Sequence, residues 1–166
     1  MIEFKSFEGT ITNISDLWIN SANTHSGCFK LIAVEDEYKG LVNFVVRPST
    51  YFVDHVMVAI GDKVTAFYDA NAPVPLIFPP QYSAIVMAKH TPGQNVTVDY
   101  FNNHLLSSDG KLRLNLSPRT QIILQNDQAF TESPADRDLI VIYGPVTKSI
   151  PAQTTPYKII VICPMC

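Results

Sequence analysis

An internal repeat constrains the fold of this chain more than any other sequence feature. Three blocks of apolar residues and small polar turn residues recur in the same order: residues 44–50 return at 114–120, 64–68 at 139–143, and 82–87 at 157–162. The first block returns 70 residues later and the other two 75 residues later, so one small insertion separates the copies. No acidic, basic, thiol or imidazole side chain is kept in register. The repeat therefore indicates a duplicated scaffold rather than a duplicated site.

Short segments with strand character recur about every ten residues and are rich in Val, Ile, Thr and aromatic residues. They are 9–14, 28–35, 41–47, 63–69, 83–89, 96–101, 111–117, 121–124, 138–143 and 158–163. In the segment 111–117, strict alternation predicts that Leu112, Leu114 and Leu116 face a core. No helical stripe of ten residues is present, and helical structure is expected at most as single turns within 49–58 and 125–130.

The connections between these segments also match in the two halves. Gly40 and Gly110 end polar stretches just before corresponding strands, as hairpin tips with a residue at positive φ require. A long connection marked by prolines precedes the last strand of each half, at residues 72–81 and 144–156. Proline removes a ladder donor, so both connections are expected to be extended backbone outside the sheets.

These observations predict an all-β protein of two tandem small antiparallel barrels, spanning residues 1–91 and 92–166. About five strands per half, with a long connection before the last one, resemble an OB-like barrel. A β-sandwich is the alternative, although each half is short for seven strands and lacks the Cys, Trp, Cys spacing of immunoglobulin domains.

The charge composition bears on the partners that are expected. Charged residues make up 16% of the 166 residues, and 12 basic against 15 acidic residues give a net charge of −3. The basic residues are scattered rather than clustered, so a nucleic-acid partner is not expected. No run of about 18 apolar residues that could span a membrane is present. The first residues lack a classical signal peptide, so synthesis in the cytoplasm is expected.

Three cysteines are too few for a fold built on disulfides. Cys163 and Cys166 have the spacing of a dithiol motif, whereas Cys28 is isolated. Three interpretations stay open, namely inert thiols, a disulfide within or between chains, and a metal site that would need two further ligands. We retain all three cysteines as candidates for a disulfide or a cross-link, and we expect no metal site.

Motifs of catalysis are absent from the sequence. It contains no paired carboxylates, no glycine-rich phosphate loop and no nucleophile elbow. The histidines His25, His55, His90 and His104 are dispersed, and only His55 has a suggestive neighbour, Asp54. The acidic stretch 35–37 lacks the alternating spacing of a calcium loop and is interpreted as a solvated hairpin tip. We therefore expect neither an enzyme nor a bound cofactor.

Aromatic residues are denser in the first half than in the second. If Tyr51, Phe67, Phe78 and Tyr82 lay exposed on one face, they could bind a small ligand, a carbohydrate or single-stranded nucleic acid. The competing interpretation is that these aromatic side chains fill a core or an interface. A binding module is accordingly the second of two functional expectations.

The proline-marked segments 67–73, 78–82 and 149–156, together with 105–110, resemble uncharacterised proteins of anaerobic, spore-forming Firmicutes in which a β-rich unit is duplicated. The resemblance covers nearly the whole chain and implies a bacterial scaffold. Together with the low charge and the terminal cysteines, it leads to the first functional expectation. This is a non-enzymatic, self-associating structural protein, associated with a spore or a cell surface, whose partner is another copy of the chain.

Overall fold

The computed structural model of the chain describes residues 1–17 and 26–164. Within them the regular structure is β-strand, apart from one short 3-10 turn at Val53–His55. The chain forms two compact units, Met1–His90 and Thr91–Cys166, and the predicted boundary lies one residue from this division. The strands of the first unit are β1 (Phe4–Asp16), β2 (Lys30–Asp36), β3 (Gly40–Val46), β4 (Tyr51–Phe52), β5 (Lys63–Asp69) and β6 (Gln81–Lys89). Those of the second unit are β7 (Asn95–Phe101), β8 (Leu112–Leu114), β9 (Gln121–Leu124), β10 (Arg137–Tyr143), β11 (Ala152–Thr154) and β12 (Lys158–Ile162).

Five strands of the first unit close into a barrel. Strand β1 pairs with β2 and β5 in antiparallel fashion, β2 pairs with β3, and β5 pairs with β6. The circle is completed by a parallel pairing of β3 with β6, in which Phe44 lies opposite Tyr82. The short strand β4 adds to β6 in parallel. Closure pairs β3 with β6, the two strands that would otherwise lie at the edges of the ring.

The interior of this barrel is filled by alternate residues of its strands. Its core contains Phe7, Ile11, Ile32, Val34, Val42, Phe44, Val46, Val64, Ala66, Ala84 and Met87. The ring of Phe44 is fully buried, and its centroid lies 6.2 Å from that of Phe7 and 6.0 Å from that of Tyr68. The predicted hairpin tip is present as well, because Gly40 has a φ of 86° and links β2 to β3.

The second unit has related pairings, but its sheets do not close. Its four-stranded sheet has the order β7, β10, β12, β9, and β8 with β11 forms a separate parallel pair. Its core contains Phe101, Leu112, Leu114, Leu139, Val141, Ile159 and Val161. Of the two barrels that were predicted, the first is thus confirmed as a closed barrel, and the second is not confirmed. The segment between β7 and β8 forms turns, and no strand corresponding to β2 joins these two strands in this part of the chain.

One hydrogen-bonded turn is the same in both units. The Arg47 N–H donates to the Thr50 Oγ1 at 2.9 Å, and this hydroxyl donates to the carbonyl of Ala84 in β6 at 2.9 Å. In the second unit the Ser117 N–H donates to the Thr120 Oγ1 at 3.3 Å, which donates to the carbonyl just before β12, at residue 156, at 2.8 Å. The repeated Thr of the sequence therefore has a shared role: its hydroxyl ties the turn to the last strand of the first unit and to the residues just before the last strand of the second.

Several local expectations are corrected by the structure. The strand expected over 111–117 is reduced to β8, so Leu112 and Leu114 are buried whereas Leu116 is exposed. The alternation stops because residues 117–120 form the turn described above. Strands β4 and β11 were not expected, since each is only two or three residues long. The helical turn expected within 125–130 is instead a tight turn, in which the Asp127 N–H donates to the Leu124 carbonyl.

A partly buried carboxylate in β10 predicts a pH dependence of stability. Burial raises the pKa of Asp138 above its ordinary value of 3.8, and the carboxylate of Asp99 raises this pKa further. A raised pKa in the folded state means that ionisation opposes folding, so stability falls as the pH rises through and above about 4. We expect Asp138→Asn to have a higher urea midpoint than the wild type at about pH 7 and to lose this advantage near pH 3, where the carboxyl is protonated in both states.

The control for this prediction is Asp127→Asn, which removes an exposed carboxylate from a turn of the same unit. Urea denaturation at both pH values would be followed by circular dichroism for all three proteins. A midpoint difference between Asp138→Asn and the wild type that is equal at both pH values would contradict the prediction.

Candidate functional site

The most exposed apolar surface of the first unit is the connection between β5 and β6, residues 70–80, which we call the apolar loop. It contains no charged residue. Leu76 and Phe78 are almost fully exposed, with Phe78 at 92%, and Val74 and Ile77 are also exposed. Clusters of large apolar side chains in solvent are uncommon on soluble proteins and mark contact surfaces. The apolar loop is therefore the candidate functional site of this unit.

Hydrogen bonds hold both ends of the apolar loop to the barrel. The Asp69 carboxylate accepts from the Glu3 N–H at 3.0 Å and from the Asn71 N–H at 2.9 Å. The Ala70 N–H donates to the carbonyl of Glu3 at 2.8 Å. At the other end, the Asn43 N–H of β3 donates to the carbonyl at residue 80, at 2.9 Å. The apolar side chains thus project from a loop whose ends are held to Glu3, just before β1, and to β3.

Prolines restrict the backbone of the apolar loop. Prolines occupy positions 73, 75, 79 and 80, and the bond between Phe78 and Pro79 is cis. Each proline limits φ, so fewer backbone conformations have to be given up when the loop is held by a partner. A stiff apolar projection is suited to docking, because its side chains need little ordering on contact.

Two tyrosines stack where the apolar loop joins the barrel. The rings of Tyr68, near the end of β5, and Tyr82, near the start of β6, are stacked with centroids 4.2 Å apart. Both are half-buried and pack against the barrel core. Burial raises the pKa of Tyr68 above its ordinary value of 10.0, and the neighbouring Tyr82 adds to this rise. The Tyr68 hydroxyl therefore stays protonated at neutral pH, and the two stacked rings form an aromatic support for the loop.

The four aromatic residues that the sequence singled out do not share one exposed face. Tyr51 and Phe67 are buried, Tyr82 is half-buried, and Phe78 is exposed. Phe78 lies in the apolar loop and Tyr82 lies beside it. They are therefore the two of these four residues that a ligand or partner could reach together. Ligand binding by these residues stays a prediction. Leu76 and Ile77 were missed, although the charge-free run between prolines was a signal for them.

The second unit carries a corresponding loop before its last strands. Residues 144–151 precede β11, and Ile150 is 98% exposed next to a cis bond to Pro151. Val146 is also exposed. Both units therefore present apolar side chains from the proline-marked connection. The expectation that the second connection, 144–156, lies outside the sheets is wrong, because it contains strand β11, which pairs with β8. The loop of the first unit carries more exposed apolar side chains than the loop of the second unit.

The cysteines, the histidines and the acidic tip form no shared site among the described residues. Cys28 and Cys163 are exposed and no disulfide joins them, whereas Cys166 and His25 lie outside the described residues. His55 is exposed, and its ring packs edge-on against Tyr51 with centroids 5.3 Å apart. Within the stretch 35–37, Asp36 accepts the N–H groups of the hairpin tip as a turn residue.

Over residues 1–17 and 26–164, no group of three or more His, Cys, Asp or Glu side chains is placed to hold a metal ion. The same residues contain no helix long and apolar enough to cross a membrane. Comparison of the sequence with protein-family models, with curated proteins and with solved structures finds no match in any of the three.

Proposed function

We propose that this is a non-enzymatic, self-associating structural protein in which the apolar loop of one copy packs against another copy. The observation that carries the proposal is the exposure of Leu76, Ile77 and Phe78 on a proline-restricted loop without charge. Burying such side chains releases roughly 25 cal/mol for each Å² of apolar surface, so several together can support an interface. Association with a spore or a cell surface is part of this proposal.

We infer that both units derive from one OB-like barrel. The order of pairing in the first unit, with β3 and β6 parallel and the other ring pairs antiparallel, supports an OB-like assignment. In the second unit, β8 pairs in parallel with β11, and β9 pairs in parallel with β12. In the first unit, β3 and β4 likewise pair in parallel with β6. The shared threonine turn adds to this argument. The second unit would then be a copy that has lost the strand corresponding to β2.

A second copy of the chain is the partner that the charge distribution favours. A symmetric dimer brings the same surface patch of both copies together, so a patch that carries charge of one sign would repel its counterpart. The apolar loop avoids this cost because residues 70–80 carry no charge. The low charge of the whole chain also lowers the repulsion between copies. Cross-linking through Cys28, Cys163 or Cys166 would act on an assembly formed in this way.

The second candidate function is a binding module, and it depends on the same end of the barrel. Tyr68 and Tyr82 form a half-buried stack where the apolar loop that carries Phe78 joins the barrel, and stacked aromatic rings also support sugars and bases. The two candidates differ in their dependence on protein concentration. Self-association follows mass action in the protein alone, whereas a binding module stays monomeric until its ligand is added.

The proposal is tested by the mass of the protein in solution. Light scattering after size exclusion is measured from about 5 to about 500 μM, a range that resolves interfaces of weak to moderate affinity. We expect the mass of the wild type to rise with concentration. The triple variant Leu76→Ser, Ile77→Ser, Phe78→Ser is expected to stay monomeric, because the apolar area that drives contact is removed.

The matched control is Tyr38→Ser with Met57→Ser, two side chains that are 89% and 92% exposed outside the apolar loop. It is expected to associate as the wild type does. All three proteins are measured with and without reductant, so that disulfide cross-linking is separated from association. A wild type that is monomeric throughout, or a triple variant that associates normally, would overturn the proposal.

A further inference from the structure

A cleft lined by uncharged residues, both polar and apolar, lies within the second unit, apart from the apolar loop. It has a volume of about 410 Å³ and is lined by Asn115, Pro145, Val146, Thr147, Gln153, Thr154 and Thr155. None of these side chains is charged. A charged ligand would lose its hydration here without gaining a counter-charge from the lining, so the cleft is suited to a neutral ligand. Its volume is within the usual range for small-molecule sites, about 300 to 1,000 Å³.

Backbone hydrogen bonds make the cleft a built feature of the fold. Strand β11 pairs with β8 on one side, and the Asn115 N–H extends this pairing by donating to the carbonyl of Thr154 at 2.8 Å. On the other side of β11, the Thr147 N–H donates to the Gln153 carbonyl at 2.9 Å. The buried Thr154 donates its hydroxyl to the carbonyl at residue 145, at 2.9 Å. The cleft is therefore framed by three extended segments that are bonded to one another.

Two side-chain amides meet in the cleft and leave complementary groups available. The Asn115 Nδ2 donates to the Gln153 Oε1 at 3.1 Å. Among the described residues, the remaining Asn115 Oδ1 acceptor and Gln153 Nε2 donor have no hydrogen-bond partner. Rotating both amides by half a turn exchanges these roles and still leaves one acceptor and one donor. The pair thus presents an acceptor beside a donor.

An aromatic ring lies beside the cleft. A Cβ added to Gly144 would overlap the hydroxyl of Tyr157 and stand 2.8 Å from the ring carbon that carries it, so this ring covers the backbone next to the lining residue Pro145. Tyr157 is about half exposed, and Val146 adds an exposed apolar side chain to the lining. The lining therefore combines the polar amide pair with apolar surface from Pro145 and Val146, and the ring of Tyr157 lies next to the cleft without lining it.

From these features we propose that the cleft binds a neutral saccharide, and this proposal is independent of self-association. A sugar has adjacent hydroxyls that each donate and accept a hydrogen bond, which matches the acceptor and donor of the amide pair. It also has apolar C–H faces, which match the apolar lining residues Pro145 and Val146. A peptide strand would instead engage the sheet through backbone bonds, and the segments on both sides of β11 already use these.

The test uses the full chain labelled with ¹⁵N, because the side-chain NH₂ groups of asparagine and glutamine are observed directly. Maltotriose, cellotriose and triacetylchitotriose are titrated separately to about 10 mM, where a ligand with a dissociation constant near 1 mM occupies most sites. We expect at least one of them to shift the side-chain resonances of Asn115 and Gln153 and the backbone resonance of Thr155. A trialanine peptide is titrated as the competing neutral ligand.

The variant Asn115→Ala with Gln153→Ala is expected to weaken the binding at least tenfold. The single variant Asn115→Leu, which keeps the size of the side chain, provides a second test if the double variant alters the fold. Asn126→Ala with Gln128→Ala removes two amides from the turn after β9 and is expected to bind as the wild type does. The proposal is overturned if no trisaccharide shifts these resonances, if only trialanine does, or if Asn115→Leu binds unchanged.

Discussion

Phe44→Ala is expected to destabilise the first unit by about 3 to 5 kcal/mol, the range for removing a fully buried phenylalanine. The ring has no solvent exposure and lies 6.2, 6.0 and 6.3 Å from the rings of Phe7, Tyr68 and Tyr82. Removing it leaves a cavity bounded by rings on strands that pair around a closed barrel, so the surroundings cannot collapse without disturbing those pairings.

The measurement is urea denaturation followed by circular dichroism, with both units of the chain present. Phe78→Ala is the matched control, since it makes the same change at a ring that is 92% exposed. Its expected effect on stability is below about 0.5 kcal/mol, as for ordinary surface substitutions. Similar losses for the two variants would show that Phe44 does not hold the barrel core together.

Gly9→Ala is expected to cost about 3 kcal/mol, at the upper end of the range for overpacking. A Cβ on Gly9 would overlap the carbonyl oxygen of Glu35 in the neighbouring strand and stand 2.9 Å from Cγ1 of Val34. The obstructing group is backbone, so it cannot rotate away as a side chain could. Relief requires β1 and β2 to separate where they pair, and this pairing is part of the barrel ring.

Gly40→Ala provides the comparison for Gly9→Ala, because Gly40 lies in open space at a φ of 86°. There the cost is the left-handed backbone alone, about 1 to 2 kcal/mol. Amide hydrogen exchange distinguishes the two variants further. Gly9→Ala should lower protection along β1 and β2, whereas Gly40→Ala should affect only the hairpin tip. Equal stability of Gly9→Ala and the wild type would contradict the close approach of these strands.

The repeat was visible in the sequence because it is carried by neighbouring residues. The Pro and Thr shared by the turns ending at Thr50 and Thr120 predict similar local structure wherever they occur. The all-β class, the hairpin tip at Gly40 and the proline-marked connections follow from the same local chemistry. What these residues could not reveal is the carbonyl that each threonine reaches, at Ala84 and at residue 156. Those partners lie 34 and 36 residues away.

Closure could not be predicted from either half. Both halves contain enough strand segments for a barrel, yet only the first unit closes. It closes because β3 pairs with β6, whose residues lie 38 positions later in the chain. In the second unit the expected long strand over 111–117 is reduced to β8, and the chain between β7 and β8 forms turns. A barrel requires every pairing around the ring, so the absence of one strand opens it even when the other pairings are kept.

The candidate sites also depend on features of the folded chain that the sequence alone does not predict. Tyr51, Phe67 and Phe78 are all aromatic residues in the aromatic-rich first half, and only the folded structure separates the two buried rings from the exposed one. The amide pair of the cleft joins Asn115 to Gln153, which are 38 residues apart, and nothing in the sequence marks either residue.

The sequence by itself determined the strand-rich class, the internal repeat, the hairpin tip at Gly40 and the position of the proline-marked connection of the first unit. These features depend on the alternation of apolar and polar residues and on the backbone preferences of a few neighbouring residues. Such preferences act locally, whatever the rest of the fold is. The tertiary structure decided which strands meet, which half closes, which aromatic side chains reach solvent and which polar groups converge. Those outcomes depend on contacts between residues far apart in the chain, and the free energy of such contacts is set only when the strands pair.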